Sequence, residues 1–312
     1  MSVLILTHPS SHLHVPPAGH PERVARIEAV EALLDSVPYD ALPREEAPAA
    51  SDEELARAHD RQYLESLERA VPEEGWTALD PDTHLGPQSL VAARHAAGAN
   101  IRAVDAVLSG AHRAAFCAVR PCGHHAERDR AMGFCFYDNV AVGALHALEH
   151  HGLERVAIVD FDVHHGNGTQ DIFERDARVL FASTHQFPLF PGTGAEHETG
   201  VGNIVNCPLR PMTGGKDMRT AFETRVLPQL DAFRPQLVMI SAGFDAHVSD
   251  PLANLYWTDS DFRWATDRLC EAAVAHADGR VVSTLEGGYD LDGLKESVQA
   301  HLDGLVAHTE AA

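Results

Sequence analysis

Short β-rich runs alternate with helical patterns along most of this chain, and that alternation limits the fold more than any other feature of the sequence. Candidate strands cover residues 3–6, 115–119, 155–160, 179–183, 237–241 and 280–285, with helical patterns near 138–150, 216–232, 260–277 and 291–307. Upstream, Val24, Ile27, Val30 and Leu34 recur at helical spacing within residues 21–34, Ser51 and Glu54 form a capping-box pair, and alanine-rich residues 88–108 predict a long helix. Strands separated by helices need right-handed crossovers, which predicts an α/β fold with a mostly parallel sheet covered on both faces. No linker, repeat or composition break interrupts residues 1–312, so a single domain is expected.

The unusual residues stand directly after the strands. CAVRPCGHHAERDRAMGFCFYDN follows one, DFDVHHGNGTQ another, then STHQFPLFPGTG, SAGFDAH and EGGYD. In open α/β sheets the ligand crevice lies at the carboxyl ends of the strands, so five such loops converge on one site. Asp162 and His164 are two apart in an extended segment and point the same way. Asp245, from a later strand, adds a third donor. Two carboxylates and one imidazole leave a coordination position for water and substrate, as a catalytic zinc requires. A lone Asp-x-His is more often a surface pair, and adjacent histidines such as His124 and His125 are more often unrelated; here all share one sheet edge. Asp160 and Asn167 are available to fix the histidine tautomers. Gly287 and Gly288 let the backbone approach the crevice and present the Tyr289 phenol as a donor.

Composition narrows the partners. The formal charge is −22, a field that repels phosphate backbones and attracts basic peptides or polyamines. Five cysteines without a CxxC pair fit a reducing compartment. The segment MSVLILTHPSS lacks the basic flank and length of a signal peptide, and no run reaches the roughly 18 apolar residues of a membrane span. A cytoplasmic protein is the expectation.

Taken together, these segments resemble the histone deacetylase family, its class II and bacterial deacetylase-like branch in particular. The resemblance runs from Gly19-His20-Pro21-Glu22-Arg23 to Glu286-Gly-Gly-Tyr289, with DFDVHHGNGTQ, GFCFYDNVA and SAGFDAH the most specific parts. It implies the arginase/deacetylase fold, with a central eight-stranded mostly parallel sheet flanked by helices, and Zn²⁺ on Asp162, His164 and Asp245. It also implies that His125 is the general base and then the acid, that His124 supports it electrostatically, and that Asp160 holds His124 while Asn167 holds His125. Tyr289 is implied as donor to the oxyanion. Gly133, Phe134 and Phe190 match the channel that takes the apolar stem of the substrate, Leu252 matches a gatekeeper, and Arg23 resembles the arginine of an internal cavity. A monovalent cation, K⁺, is implied on Asp160, Ser183 and nearby carbonyls. One departure is that Arg120-Pro121-Cys122-Gly123 stands where relatives usually have two prolines, so Cys122 brings a thiol close to the site, with inert packing the expectation.

The resemblance implies removal of an acyl group, acetyl above all, from a lysine side chain of a peptide or protein. An acetylpolyamine substrate is the alternative. Some polyamine-selective relatives carry glutamate where this chain has Leu252, which favours acyl-lysine. An inactive acyl-lysine binding module would require the loss of a ligand, a dyad histidine or the tyrosine, and none is lost.

Overall fold

The computed structural model describes residues 3–310. Eight strands form one sheet in the order β2-β1-β5-β10-β9-β6-β7-β8, and every pairing is parallel. They are β1 (Val3–Thr7), β2 (Arg44–Glu46), β5 (Ala114–Cys117), β6 (Val156–Asp160), β7 (Val179–Gln186), β8 (Ile204–Leu209), β9 (Leu237–Ala242) and β10 (Val281–Leu285). A small antiparallel pair, β3 (Thr77–Ala78) and β4 (His84–Leu85), stands apart. The six strands expected from the sequence are all present. The two that were missed lie at the edges. β2 reads Arg-Glu-Glu, and β8 carries Pro208; edge strands tolerate charge and proline because one side of their backbone needs no partner.

Alternate residues of each strand enter opposite layers. Val3 and Ile5 of β1 pack with the layer built on α1 (Ala25–Leu34), α9 (Asp259–His276) and α10 (Leu291–Glu310), whereas Leu4 and Leu6 face α3 (Arg61–Ala70), α4 (Ser89–Leu108) and α5 (Asn139–Glu149). Both faces are therefore dry, and strand sequences with apolar residues at successive positions follow from that. Caps fix the helix starts that matter. Ser51 and Glu54 close the expected capping box on α2 (Asp52–Ala58), and the Asp138 carboxylate accepts from the Ala141 N–H at the start of α5. The helix expected over 216–232 is present in three pieces: α7 (Gly215–Ala221), a π turn (Phe222–Val226) and α8 (Leu227–Phe233). α6 (Asn167–Phe173), only seven residues long, was not expected. Among the described residues no helix is long and apolar enough to cross a membrane.

α1 starts later than expected, at Ala25 rather than Pro21, and this alters one assignment. Counted from Ala25, the buried face carries Arg26, Ile27, Val30, Leu33 and Leu34, while Arg23 precedes the helix and is exposed. Arg23 is therefore not the arginine of an internal cavity. In this segment it is Arg26 that is buried.

Candidate active site

The turn after β6 runs Asp160-Phe161-Asp162-Val163-His164, and the turn after β9 brings Asp245 against it. Nδ1 of His164 lies 3.1 Å from Asp162 Oδ1 and 3.0 Å from Asp245 Oδ2, and all three residues are buried. An imidazole N–H serves one acceptor well, so three donors gathered about one point suit a shared cation. The carboxylates are also held from behind. Val163 N–H donates to Asp245 Oδ1 (2.9 Å) and Gly287 N–H to Asp162 Oδ2 (2.8 Å). A Cβ on Gly287 would lie 2.2 Å from Asp245 Oδ2, so only glycine leaves the cluster its space. Burial works against a charged His164, yet the two carboxylates raise its pKa to about 10, so a proton stands in for the positive charge that the cluster draws. This donor set fits Zn²⁺, with a position left open.

The turn after β5 supplies the histidine pair, with ring centroids 4.0 Å apart. His124 Nδ1 is 2.9 Å from Asp160 Oδ2, and His125 Nδ1 is 2.7 Å from Asn167 Oδ1. Because Asp160 accepts only, His124 Nδ1 carries a proton. Asn167 turns its amide nitrogen to Glu127 Oε1 (2.7 Å), so its oxygen faces His125 and leaves the His125 Nε2 lone pair free. The two rings then diverge. For His124, burial is outweighed by Asp160 and Asp162, which raise its pKa well above the ordinary value. Burial and then the charge of His124 push His125 well below it. Ser183 pairs in register with Asp160 across β6 and β7, and its Oγ lies 2.9 Å from His185 Nδ1.

Above the cluster a channel of about 240 Å³ is lined by Gly133, Phe134, Phe190, Leu252, Tyr289 and Asp82 among others. Gly133 (φ +55°) and Phe134 (φ +71°) are both left-handed. For phenylalanine this is strained, and the Phe134 N–H is tied to Thr83 Oγ1 at 3.1 Å. A Cβ on Gly133 would meet the His125 ring at 2.3 Å, so the turn serves as the floor on which that ring rests. The Tyr289 ring stands edge-on to Phe134 at 5.9 Å, with the Arg26 guanidinium 4.9 Å over its face.

The sequence reading gave no role to three supporting groups, Asp250, Glu286 and Asp82. The Asp250 carboxylate accepts from Tyr289 N–H (2.7 Å) and Asp290 N–H (3.3 Å). Glu286 Oε2 accepts from Gly123 N–H at 2.7 Å and His124 N–H at 3.3 Å, tying the histidine turn to the tyrosine turn. Asp82 reaches the channel from a loop without a motif. Cys122 is buried with its Sγ 3.3 Å from that of Cys135, a neighbour that chain order does not reveal. For Glu286 and Asp250 a signal was available, since both lie inside the quoted segments or next to them.

A parallel α/β sheet carrying a buried Asp-His-Asp cluster, a histidine pair and a tyrosine at its carboxyl edge has the equipment of a metal-assisted hydrolase. Residues 20–305 match the histone deacetylase domain. A histone deacetylase-like amidohydrolase from Pseudomonas aeruginosa is 44% identical, covering 91% of this chain and 77% of that protein. The polyamine deacetylase HDAC10 of Homo sapiens is 38% identical over 88% of this chain and 43% of its own length. The solved HDA15 HD domain superposes with a TM-score of 0.93 at 35% identity, covering 98% of this chain and 88% of that one. The chain belongs to the histone deacetylase family, and it is a deacetylase, a hydrolase of the family for which zinc dependence is typical.

Proposed function

We propose that residues 1–312 form one catalytic domain that removes an acetyl group from a lysine side chain of a peptide or protein, with Zn²⁺ held by Asp162, His164 and Asp245. The observation that carries this reading is the meeting of that cluster with a free His125 Nε2 at the base of a narrow apolar channel. When bound, the zinc would polarise the amide carbonyl and lower the pKa of water. His125 takes a proton from the attacking water at Nε2 and returns it to the departing amine. Asn167 keeps that ring in the required tautomer. His124, held charged by Asp160, contributes a positive field, and the Tyr289 hydroxyl donates to the oxyanion. Phe134 and Phe190 flank the apolar stem of the substrate. A K⁺ ion on Asp160, Ser183 and adjacent carbonyls, and a cytoplasmic location, belong to the same reading.

Leu252 places no charge in the channel wall, which supports acyl-lysine. The second reading, an acetylated polyamine, draws on Asp82, a carboxylate at the channel, and on the relative named a polyamine deacetylase. Turnover of acetyl-lysine peptides and N-acetylated polyamines by wild type and Asp82→Asn separates them. A polyamine preference that Asp82→Asn abolishes would overturn the lysine reading. Metal analysis should find about one Zn²⁺ per chain, lost with activity in Asp162→Ala or Asp245→Ala; full turnover by metal-free protein would end the mechanism.

A further inference from the structure

A second group of metal-ligating side chains lies at the other end of the molecule. α5 runs back across the sheet before β6 begins, so its C-terminus sits at the edge opposite the carboxyl ends of the strands. Its last turn and the two residues beyond it carry His146, His150 and His151, and each offers a ring nitrogen within 4.8 Å of the others. Facing them from α4 is Asp105, whose single oxygen Oδ1 lies 2.8 Å from His146 Nε2 and 2.7 Å from His151 Nε2. The rings of His146 and His150 stack at 4.7 Å, and that of His151 stands edge-on to both.

We propose that His146, His150, His151 and Asp105 form a structural binding site for a divalent transition ion such as Zn²⁺ or Ni²⁺, separate from the catalytic centre. Three imidazoles and one carboxylate are the donor set that borderline ions prefer, and four protein donors close the coordination as structural sites do. The carbonyl end of α5 adds a favourable partial negative charge. His146 is buried, and burial lowers its pKa, so the ring is neutral and able to ligate at neutral pH. The three imidazoles are already gathered at the end of α5, and Asp105 from α4 already holds two of them, His146 and His151.

One neighbour opposes the ion and gives the site a distinctive test. Arg57 Nη1 lies 3.2 Å from His146 Nδ1, so the metal-free ring carries its proton on Nε2, toward Asp105. Ligation through Nε2 moves that proton to Nδ1, and Arg57 must then turn toward Glu149, whose Oε2 is already 3.6 Å from its Nε. Arg57→Gln removes the cation and supplies an oxygen to accept the Nδ1 proton.

The experiment is a calorimetric titration of Zn²⁺ into untagged enzyme whose metal content has been measured first. One further saturable ion per chain is expected, together with a higher Tm, because the ion ties α4 to α5. In His150→Ala/His151→Ala that increment should vanish while deacetylation is unchanged; both residues are exposed, so the fold is kept. Arg57→Gln should tighten the added ion by about tenfold or more, the usual scale for a group hydrogen-bonded to a ligand. The proposal fails if no second ion binds at micromolar Zn²⁺, or if the double variant binds it as wild type does. It also fails if Arg57→Gln weakens the ion. The increment is counted from the measured content, so its loss is distinguishable from loss of the catalytic metal.

Discussion

The two histidines differ by one side chain behind each, and they should fail differently. His125→Ala should be nearly inactive at every pH, since the neighbouring His124 is held charged by Asp160 and cannot take the proton. His124→Ala should keep a measurable rate with a displaced pH profile, because a neighbouring charge is lost rather than the proton carrier. Asn167→Asp would place a carboxylate 2.7 Å from His125 Nδ1. That raises the His125 pKa, so the acidic limb of kcat/KM moves to higher pH. A pH–rate series on these variants checks the assignment, and equal losses for both histidines would refute it. Tyr289→Phe keeps the ring against Phe134 and Arg26 but deletes the donor. Its kcat should fall about 10²-fold or more with KM little changed; an unchanged kcat would leave the tyrosine a packing role only.

Among the elements, the turn through Gly133 and Phe134 is the most exacting, with two successive left-handed residues beneath the His125 ring. Gly133→Ala forces a Cβ into the His125 ring and should lower kcat by about 10²-fold, the scale expected of an ångström-sized misplacement. Zinc content should be unchanged, because the three ligands stand on other loops; loss of metal in this variant would show that the turn supports the whole site rather than one ring. Element boundaries were less legible than element types. α1 begins four residues later than its periodicity suggests: Glu22, ahead of it, is taken into a buried network in which it bridges Arg26 and Arg120. That displacement is why the motif arginine Arg23 ended outside and Arg26 inside.

The molecule as a whole carries buried histidines that take no part in the candidate site. His301 lies between Thr266 Oγ1 (2.6 Å) and Ser283 Oγ (2.8 Å), and burial lowers its pKa from 6.5 to about 3. The unfolded chain takes up a proton near pH 6.5 where the folded one does not. Its contribution to stability is therefore complete above pH 6.5 and is lost as pH falls toward 3, at about 1.4 kcal/mol per pH unit. Denaturant unfolding at pH 7.5 and 5.0 should show a smaller difference in His301→Gln than in wild type, although the variant is weaker at pH 7.5. Equal differences would show that His301 is not part of the acid sensitivity.

The sequence by itself determined the α/β class, the six inner strands and the strand-end loops whose residues meet at the candidate site. Those are encoded locally, as apolar runs buried on both faces and as segments whose residue types have few other uses at strand ends. Tertiary structure decided what depends on contacts between distant segments. The edge strands β2 and β8 take their conformation from neighbours rather than from their own composition. Glu286 matters because Gly123, 163 positions away, needs an acceptor, and Asp82 because its loop folds over the channel. Only packing brings Cys135 to Cys122 and Asp105 to the histidines that end α5, since each pair is joined through a fold and not along a chain.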